Sequence, residues 1–215
     1  MIFMRYESFR GYLRMYPVTA CIIALNIVYF IIVELSGIAT DDYNYHLYKY
    51  GSFYTDTSID PFGLKEPWRY VTSMFMHSGF MHLLFNMFSL LVFAPPLEHL
   101  LRKVRYGVFY LLCGILANAF TALMAVLLGD NGVHAVGASG AIYGVYGAFL
   151  YIALFRKAWL DEGSRKTVYT ILIFGLIYSV ITPQISLWGH VGGGLAGFLL
   201  YSSFDRAMVR RKRIR

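Results

Sequence analysis

Ser139, in the run Gly137-Ala138-Ser139-Gly140, and His190 each stand at the start of a hydrophobic stretch of this chain. A serine hydroxyl becomes a nucleophile when an imidazole takes its proton, which requires the two groups to lie within about 2.6 to 3.2 Å of each other. Tyr143, one helical turn beyond Ser139, shares its face and can support an imidazole ring. His82 and Asn86 also share one helical face and can aim hydrogen-bonding groups at one point. Such a pair can hold an oxyanion, bind a metal or bond across to a neighbouring helix, and the spacing leaves all three open.

Several other chemistries lack their parts. The sequence contains no His-Glu-x-x-His zinc motif, and no pair of aspartates falls within its apolar stretches. Ala141 occupies the second glycine position of the Gly-x-Ser-x-Gly elbow of soluble hydrolases. Cys21 and Cys113 each fall within an apolar run, which supports neither a disulfide framework nor a metal-thiolate cluster. No metal or cofactor is expected. Asp130, next to Asn131 and Gly132, reads as part of a solvated turn, and His99 and His134 as loop residues facing solvent or the interface. His46 carries no signal.

Composition defines the elements that must position these groups. The chain has 215 residues, 58% hydrophobic and 18% aromatic, with only 14% charged. Soluble domains carry about 25% charged residues, so a bilayer is the solvent that suits this chain. Six apolar segments approach the roughly 20 residues that cross a bilayer: 17–36, 79–97, 107–128, 138–155, 167–182 and 189–204. The first reads as a retained signal anchor. The net charge of +7 gathers in short runs between and beyond these segments, a topological pattern and not a nucleic-acid surface. Arg5, Arg10 and Arg14 precede the first span; Arg102, Lys103 and Arg105 follow the second; Arg156, Lys157, Arg165 and Lys166 follow the fourth; Arg206 to Arg215 follow the sixth. Alternate connections carry Asp41, Asp42, Asp56, Asp60 and Asp130 instead. Cytoplasmic loops retain lysine and arginine, so both termini are expected in the cytoplasm.

That topology sends the second, fourth and sixth spans inward from the exterior and brings His82, Asn86, Ser139 and His190 into one depth layer. Gly137, Gly140, Gly144 and Gly147 on the fourth span and Gly189, Gly193 and Gly197 on the sixth permit two backbones to approach closely. The connection over 38–78, rich in tyrosine from Tyr43 to Tyr54, is expected to lie partly in the outer interface. No internal repeat marks an inverted-repeat transporter.

Trp68-Arg69, His77, His82-x-x-x-Asn86, Gly137-Ala138-Ser139-Gly140 with Tyr143, and His190-x-x-Gly193-x-x-x-Gly197 together resemble the ordered signature of the rhomboid intramembrane serine proteases. The resemblance runs from Trp68 to Gly197, with Gly189 standing where alanine is common before the histidine. It implies an all-α, polytopic six-helix bundle over 17–204, flanked by a cytoplasmic segment at 1–16 and a basic cytoplasmic tail at 205–215. It further implies a dyad of Ser139 and His190 in a water-filled cavity. His82, Asn86 and the Ser139 amide would form the oxyanion site, with Gly137, Tyr143 and His77 in support. Glu98 resembles a structural acid of the family, and Trp68-Arg69 a loop set sideways in the outer leaflet. The expected partners are transmembrane protein substrates and the lipid bilayer, with no nucleic acid. The expected location is a bacterial cell membrane, the site facing the exterior. Substrates would unwind near the outer end of a span, carry a small residue before the cut, and gain access past the fifth span, whose outer end Pro183 marks as loosely held. The alternatives are a non-catalytic client-binding protein of the same fold and a transporter using His77, His82 and His190 as a polar pathway.

Overall fold

A computed structural model describes residues 2–4, 6–36, 43–182 and 185–213. The described elements are α1 (Phe9–Met15), α2 (Pro17–Leu35), α3 (Tyr43–Lys49), β1 (Phe53–Thr55), α4 (Arg69–Thr72), α5 (Phe80–Leu101), α6 (Lys103–Leu128), β2 (Val133–Ala135), α7 (Ser139–Phe155), α8 (Glu162–Ile181) and α9 (Leu187–Arg213). Among them, α2, α5, α6 and α8 are long and apolar enough to cross a membrane, and α7 is a shorter apolar helix of 17 residues. Pro183, and the access route tied to it, lies outside the described residues.

The centre of the bundle is α7. Ala141 to Phe149 are buried without interruption, the pattern of a helix enclosed on every side. It packs against α6 and, most extensively, against α9. Glycine makes the second contact possible: a Cβ on Gly193 would overlap the Gly140 carbonyl oxygen, and one on Gly197 would overlap that of Gly144. By contrast, α8 buries only Ser164, Val168 and Ser179.

The boundaries of α5, α8 and α9 exceed the apolar segments. Pro95 and Pro96 do not end α5, which runs on to Leu101. A proline at position 95 removes the N–H that would reach the Leu91 carbonyl, and the hydroxyl of Tyr12 donates to that oxygen instead, at 3.4 Å. Asp161 caps α8 by accepting from the Ser164 N–H at 3.1 Å, so that helix begins at Glu162, ahead of the expected 167. The sixth segment continues as helix to Arg213, so the chain stays helical through most of the expected basic tail. Glu98 of α5, 1% exposed, caps α2 from outside, accepting from the amides of Val18 and Thr19 at 3.1 and 2.8 Å and from the Thr19 hydroxyl at 2.7 Å.

The residues before the first span are not a detached segment. Phe3 is buried, its ring edge-on to Phe93 at 4.9 Å and Phe149 at 5.1 Å. Between α5 and α6 the chain reverses through one residue, Arg102, at φ 69°.

The mostly helical fold also holds one short ribbon. β1 and β2 pair antiparallel, with Phe53 opposite Ala135, Tyr54 opposite His134 and Thr55 opposite Val133. Strands of three residues are too short to display alternation, and their partners lie far apart in the chain. His134 therefore sits in this ribbon and not in a loop, with Ser52 Oγ 3.1 Å from its Nδ1. His99 likewise belongs to the last turn of α5. The ribbon anchors the long connection at one end of the bundle, where α5, α7 and α9 begin.

Candidate active site

Ser139 is the first residue of α7, so its amide and the next two have no acceptor within the helix. Two residues earlier, the Gly137 N–H donates to the Ser73 carbonyl at 2.9 Å, tying the approach to the turn at Ser73–Phe75. Gly137 has φ 112°, and a Cβ there would stand 2.8 Å from both Cε1 and Nε2 of His82, so glycine is needed for conformation and for space. Ser139 Oγ lies 3.7 Å from that same point. The edge of the His82 ring and the Ser139 hydroxyl thus flank one small space.

The protonation of His82 follows from its neighbours. Ser78 N donates to His82 Nδ1 at 3.3 Å, with Ser78 Oγ 2.9 Å from the same nitrogen. A backbone N–H can only donate, so Nδ1 is the bare nitrogen and Nε2 carries the hydrogen. That N–H sits at the Gly137 side of the ring. Asn86 is buried on the same helix face and donates one amide hydrogen to the His82 carbonyl at 2.8 Å, leaving its second hydrogen. His77, also buried, packs edge-on to His82 at 5.0 Å, with its Nε2 3.5 Å from the Ala138 amide.

His190 stands in the first turn of α9. Its ring lies parallel to Tyr143, with centroids 4.0 Å apart and planes 10° off, and its Nδ1 is 2.6 Å from Ser179 Oγ on α8. Ser186 holds the start of α9: its hydroxyl accepts from Gly189 N and its carbonyl from His190 N, both at 3.1 Å. Ser139 and His190 line one cavity of about 20 Å³, together with Gly137, Asn118 and Gly189. That volume suits a single water molecule.

Three contributors escaped the residue patterns. Asn118 of α6 donates to the Tyr70 carbonyl at 3.0 Å and to Ser73 Oγ at 2.9 Å, bracing the turn that holds Gly137. Neither it nor Ser179 has a spacing cue, because each partner sits on another element. Ser78 does have one, four positions before His82, though it lies outside the helix. Among the described residues no group of three or more His, Cys, Asp and Glu side chains converges as a metal site.

The connection ahead of α5 is held by Arg69, which is buried while its neighbour Trp68 is exposed. Its guanidinium donates to Glu66 at 2.7 Å, to the Tyr48 carbonyl at 2.6 Å and to the Ser52 carbonyl at 3.1 Å, and it stacks 3.9 Å over the Tyr48 ring. The Arg69 hydrogen bond, followed by that of the Tyr48 hydroxyl, holds the Glu66 carboxyl below its ordinary range.

A hydroxyl and an imidazole lining one water-sized cavity, with the N–H of another imidazole near that hydroxyl and free amides at the helix start, are the parts that acyl transfer uses. The Rhomboid domain family matches residues 64–204. The rhomboid-family protein YdcA of Bacillus subtilis (strain 168) is 35% identical over 203 residues, covering 93% of this chain and 94% of that protein. Rhomboid protease GluP of the same organism is 29% identical over 188 residues, and the match covers 84% of this chain but 33% of GluP. RHOMBOID-like protein 6, mitochondrial, of Arabidopsis thaliana is 32% identical over 138 residues, 63% of this chain and 43% of the relative. With its long apolar helices and a match across most of its length, the chain is an integral membrane protein that belongs to the rhomboid family.

Proposed function

We propose that this protein is an intramembrane serine endopeptidase with Ser139 as nucleophile and His190 as base. Ser139 Oγ attacks a peptide carbonyl while His190 Nε2 accepts its proton; the C–N bond breaks as that proton passes to the leaving amine. A water admitted to the cavity then hydrolyses the acyl-enzyme, with His190 again taking and returning a proton. Charge on the tetrahedral oxygen is met by His82 Nε2–H, the remaining Asn86 N–H and the Ser139 amide. The observation that carries this reading is the cavity shared by Ser139 and a His190 ring clamped against Tyr143. Relatives named as proteases support it.

In this reading α2, α5, α6, α7, α8 and α9 are six spans with both termini cytoplasmic, as the distribution of lysine and arginine favours. The ribbon end and the site face the exterior of a bacterial cell membrane. The membrane domain is 17–204, between the flanking segments 1–16 and 205–215. Substrates are transmembrane proteins whose helix unwinds near the outer face, because a peptide bond inside an intact helix is hydrogen-bonded and shielded. They reach the site laterally, past α8.

The test is cleavage of a model single-span substrate in proteoliposomes by wild type, Ser139→Ala and His190→Ala, alongside fluorophosphonate labelling of Ser139. Cleavage and labelling by wild type and loss of cleavage in both variants are expected. Full cleavage by Ser139→Ala eliminates the nucleophile, and binding without cleavage by wild type favours a client-binding role.

A further inference from the structure

Along the half of α8 nearest the site, Ile173, Phe174, Ile177, Tyr178, Val180 and Ile181 are exposed, while Ser179 is 4% exposed. The side chain that this lipid-facing half-helix turns fully inward is therefore a hydroxyl, an unusual choice where an apolar residue costs less to bury. Its oxygen lies 2.7 Å from the Gly175 carbonyl oxygen and 2.6 Å from His190 Nδ1, with the Tyr143 hydroxyl a further hydrogen-bonding neighbour. A carbonyl oxygen cannot donate, so the single hydroxyl proton belongs to the first contact. In the second, Ser179 Oγ can then only accept, and the imidazole must donate.

We propose that Ser179 is a positioning residue that accepts the Nδ1–H of His190 and so holds the imidazole in the tautomer whose Nε2 is free to take a proton. The proposal rests on the reading of His190 as the base for Ser139. Stacking on Tyr143 fixes the plane of the ring but not its rotation within that plane, and the hydrogen bond to Ser179 supplies that second constraint. Proton accounting closes through the reaction. The Ser139 proton goes to Nε2, Nδ1 keeps its hydrogen and donates it to Ser179 Oγ, Ser179 keeps its own and donates it to the Gly175 carbonyl, and the proton on Nε2 passes to the leaving amine. This is the orienting task of a buried carboxylate in three-residue serine hydrolase sites, performed by a neutral acceptor and therefore with a smaller effect.

Three measurements on the full chain test this. In the wild type, 15N imidazole shifts, with His190 assigned by difference from His190→Ala, should show the hydrogen on Nδ1; a hydrogen on Nε2 overturns the proposal without any Ser179 variant. For Ser179→Ala, kcat on a fluorogenic single-span peptide should fall about five- to tenfold with KM held within about twofold. Fluorophosphonate labelling of Ser139 should slow in parallel. Ser179→Thr, which keeps a hydroxyl able to bond back to Gly175, should recover most of the loss. A Ser179→Ala protein that labels at the wild-type rate, or that changes KM alone, refutes the role of Ser179. So does a folded Ser179→Thr protein no better than alanine. Cleavage surviving in Ser139→Ala or His190→Ala sinks the dyad itself, a separate outcome.

Discussion

Two helices meet at the candidate site and are held very differently. α7 is buried from Ala141 to Phe149 and presses its backbone against α9 through glycine, whereas α8 buries three residues and shows its apolar face outward. The proposed nucleophile rides on the first, and the hydroxyl beside the proposed base rides on the second. Precision at Ser139 thus comes from close packing, which is stiff. At His190 it comes in part from one hydrogen bond to a sparsely buried helix. Opening α8 to admit a substrate would loosen the imidazole, and reseating it would restore the base.

The largest expected effect lies on the packed side. His82→Ala removes a donor at the space beside Ser139, and kcat should drop about 10²- to 10³-fold with a much smaller change in KM; a drop under threefold would place the oxyanion elsewhere. Next is the glycine seam. Gly193→Ala drives a methyl into the Gly140 carbonyl and should cost about 1 to 3 kcal/mol of stability in detergent denaturation, by forcing α7 and α9 apart. Phe174→Ala on α8, where the side chain is 66% exposed, should shift the same measurement by no more than about 0.5 kcal/mol. Equal losses from these two substitutions would erase the contrast between the helices.

The smallest effect tests the connection ahead of α5. Glu66 has its carboxyl pKa lowered by Arg69 and Tyr48, so its contribution is complete above the ordinary value of 4.5 and fades as pH falls through the lowered one. Protease nicking of the 53–69 stretch should rise slightly in acid in wild type, and Glu66→Gln should flatten that dependence.

Much of this was legible in the residues because the signals are local. Apolar length located the helices, and the i, i+4 rule set His82 and Asn86 on one face. The glycines flanking Ser139 and His190 marked two backbones in contact. What stayed hidden depends on partners brought together only by folding. The β1 and β2 ribbon pairs two three-residue strands far apart in the chain, Phe53 with Ala135. Ser179 gains its meaning from an imidazole on the next helix, with no periodicity to connect them. The second apolar segment ends at 97, and the Tyr12 hydroxyl that compensates for Pro95 within the longer α5 comes from α1. Charge patterning was silent on how far α9 continues beyond its apolar stretch.

The single-residue reversal at Arg102 has a mechanical consequence. α5 and α6 are joined like the tines of a fork at its handle, and those tines carry His82 and Asn118. A displacement of either tine at this end is passed to its twin through a single residue. Between α7 and α8 the chain instead uses six residues, Arg156 to Asp161, which are themselves tied down by a short helical turn at Lys157–Trp159, a buried Leu160 and the pairing of Arg156 with Asp205.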